Sequence, residues 1–201
     1  MDYSKYQKSR NLTWQILLDC HVNRLPVQIS RICTMLNVPI ISFEKGRTVL
    51  EQSKQFKHCA DSDGLTFGGA IFYNQNCTPA RQRFTVAHEL GHVLLHNGSG
   101  TYNREPSEND IPIEHEANVF ASRLLAPACV LWGLDVTNAA QISSLCNISM
   151  QSAEFRMKRL KLLYARETEY FGKYGRSCFL LSRTEREVYN QFLTYIEENK
   201  L

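Results

Sequence analysis

The run Ala87-His88-Glu89-Leu90-Gly91-His92 constrains this chain more than any other part of it. Residues four apart on an α-helix stand one above the other on one face. His88 and His92 therefore offer two imidazole nitrogens to a single metal ion. Glu89, one residue after the first histidine, points beside that metal, where a carboxylate takes the proton of an attacking water. With six His and 14 Glu in 201 residues, random placement yields this H-E-x-x-H pattern about once in a hundred such chains.

The surroundings agree with the motif. Thr78-Pro79 is a helix start, threonine as cap and proline at the first helical position, and predicts a helix from about Pro79 to His96. From Phe84 to Leu95 the segment is apolar nearly all the way round, which marks a buried helix. Two histidines and a glutamate inside it need partners, because an unpaired buried charge is too costly, and a metal ion satisfies all three. Gly91 lowers helix propensity by about 1 kcal/mol relative to alanine, so it predicts the close approach of another backbone. His96 extends the ladder by one more turn. A third histidine ligand, however, needs a glycine to turn the chain first, and Leu95 stands there instead, so packing or a supporting role is expected of His96.

The third ligand is then expected from a second helix. Ile113, Ala117, Phe120, Ala121, Leu124 and Leu125 repeat at helical spacing between Pro112 and Pro127. This segment carries Glu114, His115 and Glu116. At about 100° per residue the two glutamates flank the apolar stripe on opposite sides, while His115 faces away. Periodicity leaves Glu114 and Glu116 equal, and either completes a two-histidine, one-glutamate zinc site with an open fourth position.

Two stretches resemble the ImmA/IrrE family of metallopeptidases. One is Arg83-Phe84-Thr85-Val86-Ala87-His88-Glu89-Leu90-Gly91-His92-Val93-Leu94-Leu95-His96. The other is Glu116-Ala117-Asn118-Val119-Phe120-Ala121-Ser122-Arg123-Leu124-Leu125-Ala126-Pro127. Leu25-Pro26-Val27, Ile71-Phe72-Tyr73-Asn74 and the region from Asn147-Ile148-Ser149 through Arg156 to Leu160 fit the same family, so the resemblance spans roughly residues 20 to 165. Ala126 stands where the family usually has methionine. The resemblance implies a zinc ligand set of His88, His92 and Glu116, the glutamate before the Ala-Asn pair, with Glu89 as the catalytic base. It also implies a substrate class: helix-turn-helix repressors of mobile elements or stress responses, cut so that transcription is switched on.

The expected fold class is α+β: a zincin-like catalytic domain, its small sheet packed on the metal-binding helices, followed by a helical C-terminal region. The expected divisions are a peptidase core over 1–130, a helix-turn-helix-like region over 131–165, and a C-terminal extension of unknown role over 166–201. Helices are expected near Trp14 to His21 and Val27 to Leu36, and a strand over Pro39 to Glu44 followed by a polar stretch. Leu65 to Tyr73 reads as one strand with Gly68-Gly69 as a bulge or close approach. An edge strand before the motif helix could pair with an extended substrate through Ile71 to Tyr73. Asn97 to Asp110 is a candidate flap, and Tyr73 and Tyr102 are candidate oxyanion donors. Cys178 to Leu181 suggests a short strand. Thr184-x-x-Glu187 reads as a capping box opening a last helix to about Asn199.

Ala139 to Cys146 and Met150 to Leu163, joined at Asn147-Ile148-Ser149, resemble a helix-turn-helix. Arg156, Lys158, Arg159 and Lys161 give its second helix a basic face that could enter a major groove. A net charge of +3 is too weak to support nucleic acid or an anionic membrane as a partner, so direct DNA binding is not the expected role. No apolar run approaches the ~20 residues of a membrane span, and Met1-Asp2-Tyr3-Ser4-Lys5 is not signal-like, which points to the cytoplasm. Seven scattered cysteines without a C-x-x-C then read as reduced thiols, with Cys59 and Cys77 in segments expected to be exposed. Three functions follow: a zinc endopeptidase acting on a protein substrate, a metal-containing regulator that acts by binding a partner, or a DNA-binding protein.

Overall fold

The computed structural model describes residues 6–53, 62–96, 110–171 and 181–200. Its elements make an α+β fold, mostly helical, with one three-stranded sheet. Contacts divide the chain into two units, Met1–Arg10 with Ile29–Ala121 and Asn11–Gln28 with Ser122–Leu201. The boundaries expected at 130/131 and 165/166 do not coincide with this division.

In the first unit, the start of α1 (Gln7–Asp19) and α2 (Ile29–Met35) lead into β1 (Ile40–Ser42). The strand expected to continue to Glu44 stops at Ser42, because the Ser42 hydroxyl accepts the backbone N–H of Lys45 and caps α3 (Phe43–Gln52). That polar stretch is a helix whose buried face carries Phe43 and Leu50. The single strand expected over Leu65 to Tyr73 is two strands, β2 (Gly64–Phe67) and β3 (Ala70–Tyr73). Gly68 and Gly69 both take positive φ, 59° and 77°, the requirement of a two-residue hairpin turn rather than a bulge.

Strand order is β1-β3-β2, with β3 parallel to β1 and antiparallel to β2. Because β3 is central and bonded on both sides, Ile71 to Tyr73 is not an edge and cannot pair with a substrate strand. Leu65, Ala70 and Phe72 project from one face onto Phe43 and Leu50 to form a hydrophobic cluster. The next element, α4 (Pro79–His96), packs against β2 and β3. It starts where Thr78-Pro79 predicts, the Thr78 hydroxyl accepting the N–H of Arg81. The unit closes with the first turns of α5 (Asp110–Leu125).

In the second unit, α6 (Ala128–Gly133) is buried throughout. The α7 helix (Ala139–Cys146) opens on a capping box between Asn138 and Gln141 and ends at Asn147, which takes the left-handed conformation that terminates helices. With α8 (Met150–Phe171) it forms the expected helix-turn-helix pair, although α8 runs about two turns further than the expected end at Leu163. The last segment forms α9 (Arg183–Gln191) and α10 (Leu193–Asn199). Its capping box is Ser182 with Glu185, not Thr184 with Glu187, since Ser182 is the extended residue just before the first helical turn.

The two helices α9 and α10 pack into this unit. Gln191 Nε2 donates to the carbonyls of Leu17 and Val22 at 2.7 and 2.8 Å. A Cβ at Gly133 would lie 2.7 Å from the ring of Tyr189 and 2.9 Å from Ile196, so the glycine lets α9 and α10 close on α6. Among the described residues, no helix is long and apolar enough to cross a membrane.

Candidate metal centre

The four-residue spacing on α4 brings the two imidazoles edge to face, with ring centroids 4.7 Å apart and Nε2 atoms 3.0 Å apart. A single carboxylate from α5 spans both. Glu114 Oε2 lies 3.2 Å from His88 Nε2, and Oε1 lies 3.2 Å from His92 Nε2. His88, His92 and Glu114 thus direct one nitrogen each and a carboxylate at a common point, all ligand atoms within 4.8 Å of one another. Hydrogen bonds, to His88 first and then His92, hold the Glu114 carboxyl far below the usual carboxylate range despite its partial burial.

The structure does not bring Glu116 to this point. Two residues past Glu114, it is turned about 200° around α5, and its carboxylate lies 3.6 Å from His96 Nε2 instead. Of the two glutamates that periodicity leaves equal, the structure sets Glu114 beside the histidine pair and not Glu116, the one the family resemblance implies. His115 lies against the ring of Tyr6, with centroids 4.7 Å apart. The ring of His96 lies 5.7 Å from that of His92. Burial, and next the neighbouring His92, push its pKa down.

Gly91 makes the meeting of α4 and α5 possible. A Cβ there would lie 3.1 Å from the Phe120 ring and 3.2 Å from Ala117 Cα. This is the close backbone approach predicted from its position between the histidines.

Two supporting residues escape the sequence reading. Asn118 lies one turn after Glu114 on α5, and His88 Nδ1 contacts its Oδ1 at 3.1 Å. An N–H donated there fixes the tautomer that leaves Nε2 as the metal-facing lone pair. The i, i+4 spacing of Glu114 and Asn118 is the signal that could have found it. Thr66, on β2, donates its hydroxyl to Glu89 Oε2 at 2.8 Å, both residues being buried. No sequence pattern announces that contact, since 23 residues separate the partners.

Two imidazole nitrogens and a carboxylate are the donor set zinc takes in catalytic sites, where ligand atoms stand ~3.3 Å apart around a tetrahedral ion. The observed separations of 3.0 and 3.2 Å match that spacing. His92 is 1% exposed and its Nδ1 has no hydrogen-bond partner among the described residues. With two imidazole nitrogens converging on one carboxylate, the cluster has more acceptors than protons to bridge them, and a cation satisfies it. The residues fit the ion.

The site opens on a cavity of about 400 Å³. His88, Glu89, Glu114 and Asn118 form one part of its lining, with Phe84, Thr85, Ser62, Asp63, Gly64 and Arg81 forming the rest. Arg81 is paired with Asp63, whose other oxygen receives the Cys77 thiol at 3.1 Å. That thiol, more than the guanidinium, holds the Asp63 carboxyl below its ordinary value. The same bond pushes the Cys77 thiol up, which keeps it protonated and poorly nucleophilic. Cys20, Cys33, Cys129 and Cys146 are buried and in no disulfide. Tyr73 does not line the cavity. Of the candidate flap Asn97 to Asp110, residues 97–109 lie outside the described residues, as do Tyr102, Cys59 and Cys178.

A comparison with protein families matches residues 40–158, more than half of the chain, to the Peptidase_M78 model, described as the IrrE N-terminal-like domain. A comparison with curated proteins gives no match.

Proposed function

The chain belongs to the ImmA/IrrE family of metallopeptidases, and from that premise we propose that it is a zinc-dependent endopeptidase that cuts a helix-turn-helix transcriptional repressor and so relieves repression. The observation that carries the reading is the convergence of His88, His92 and Glu114 on one point beside the buried carboxylate of Glu89, at the wall of an open cavity. His88, His92 and Glu114 would hold the ion. When bound, zinc supplies Lewis acidity to the scissile carbonyl and to the attacking water.

The remaining work falls to protein groups. Glu89 is 4% exposed yet lines the cavity, so it meets substrate with little competition from bulk water. It accepts the proton of the attacking water and returns it to the leaving amine. Asn118 keeps His88 in one tautomer throughout. The proposed repressor substrate follows from family membership.

The direct test is Glu89→Gln. The variant should keep about one zinc per chain by mass spectrometry and lose cleavage of its helix-turn-helix repressor substrate by at least ~100-fold. Full cleavage by the variant would sink the mechanism. Relief of repression in cells by an inactive variant would transfer the function to binding. DNA binding is disfavoured by Arg156, which is buried and withdrawn from the basic face of α8. Near-zero DNA affinity at moderate salt is the matching expectation.

A further inference from the structure

We propose that Thr66 is a positioning residue for Glu89, its hydroxyl holding the carboxylate of the base in the orientation that proton transfer requires. This deepens the peptidase reading of the site and rests on it.

The argument begins in β2. Successive side chains of a strand alternate between faces, and Leu65 lies on the face that meets Phe43 and Leu50. Gly64 and Thr66 therefore share the opposite face, the one against α4. At Gly64 the approach is so close that a Cβ would lie 2.3 Å from Thr85 Cγ2 and 3.5 Å from Glu89 Cγ. One step further along this face, the Thr66 hydroxyl reaches Glu89 Oε2 at 2.8 Å. The glycine brings the strand close and the threonine uses that closeness. Both Thr66 and Glu89 are 4% exposed, so water does not substitute readily for the bond.

The chemistry of threonine suits the task. Its β-branch stiffens χ1 and favours a strand, which aims the hydroxyl. A hydroxyl donating to an ionised carboxylate makes a charge-assisted bond, shorter and stronger than a neutral one. Glutamate has three side-chain torsions, and a base displaced by about 1 Å loses on the order of 100-fold in rate. Fixing one carboxylate oxygen to a strand removes that freedom without touching the metal ligands.

The test compares Thr66→Val, which keeps the shape and loses the donor, with Thr66→Ser, which keeps the donor. Wild type, both variants and Glu89→Gln are loaded with zinc and assayed on the best-cleaved member of a fluorogenic peptide library. The valine variant should hold about one zinc per chain and melt within a few degrees of wild type. Its kcat should fall about 10- to 100-fold, with KM within about twofold, and serine should restore kcat to within about threefold. Crystals of the zinc-loaded valine variant should show the Glu89 carboxylate displaced while His88, His92 and Glu114 stay in place. A kcat within twofold of wild type, a serine variant as slow as valine, or an unmoved Glu89 would each overturn the assignment. If wild type cleaves no better than Glu89→Gln, the peptidase reading fails, and crystals of the zinc-loaded wild type beside those of the valine variant still decide whether Thr66 holds Glu89.

Discussion

Glu114 and Glu116 differ by two positions on one helix, and that difference decides which of them can meet a histidine pair. The carboxylate of Glu114 lies 3.2 Å from both imidazoles, while that of Glu116 lies 3.6 Å from His96. Loss of a supporting partner typically lowers metal affinity 10- to 100-fold, so loss of a ligand should cost more than about 100-fold. Glu114→Ala is therefore expected to come off a desalting column with almost no zinc, and Glu116→Ala with about one per chain. Loss only in Glu116→Ala would restore the glutamate that the family resemblance implies, and equal zinc in both would take Glu114 out of the ligand set. The histidines and Glu89 were legible because one helix carries all three and its period fixes their faces. The third ligand was not, because periodicity within α5 says nothing about where α4 lies. Only the packing of Gly91 on Ala117 and Phe120 turns the Glu114 face toward the histidines.

Elements tell a similar story about local signals and long-range contacts. The Thr78-Pro79 start located α4 and the helix-turn-helix resemblance located α7, both at the bounds observed, since such signals act within one helical turn. The α3 helix was missed because its sequence is polar and its cap, Ser42, ends a strand. Gly68-Gly69 was legible as a backbone break, but whether two glycines make a bulge or a hairpin depends on the pairing of the flanking strands. Arg156 is the sharpest case. Its place in a basic stretch suggests a solvated or DNA-facing side chain, yet it is 4% exposed and its Nε donates at 2.5 Å to the carbonyl of Ala126, just past the end of α5. Burial, and next the proximity of Arg123, push its guanidinium down to about 9, so it still carries its charge at neutral pH, where a cation suits a helix C-terminus. Arg156→Ala removes that bond, orphans a carbonyl and opens a cavity. It should cost roughly 2–4 kcal/mol. The exposed neighbour in Lys158→Ala should stay within about 0.5 kcal/mol of wild type. Urea unfolding of both variants separates them, and equal midpoints would return Arg156 to the surface role.

For the whole molecule, the ligands of the candidate metal centre and its base all belong to the first unit, while the helix-turn-helix pair and the C-terminal helices belong to the second. The core of the first unit is modest, a three-stranded sheet of short strands with α3 and α4 packed on it, and a metal ion that joins α4 to α5 should add materially to its stability. Binding to the native state alone stabilises by RT ln(1 + [L]/Kd), about 4 kcal/mol at a thousandfold excess over Kd. For a chain of this length, each kcal/mol moves the melting temperature by roughly 2–4 °C. Removing zinc with a chelator should therefore lower the transition of the first unit by roughly 8–16 °C, and returning zinc should restore it. Glu114→Ala should melt near the chelated wild type and respond to neither treatment, whereas Glu89→Gln, which keeps all three ligands, should respond as fully as wild type. That contrast separates the metal's part in holding α4 against α5 from its part in catalysis. A wild-type transition that ignores chelation after zinc removal has been verified would leave the ion no role in the fold.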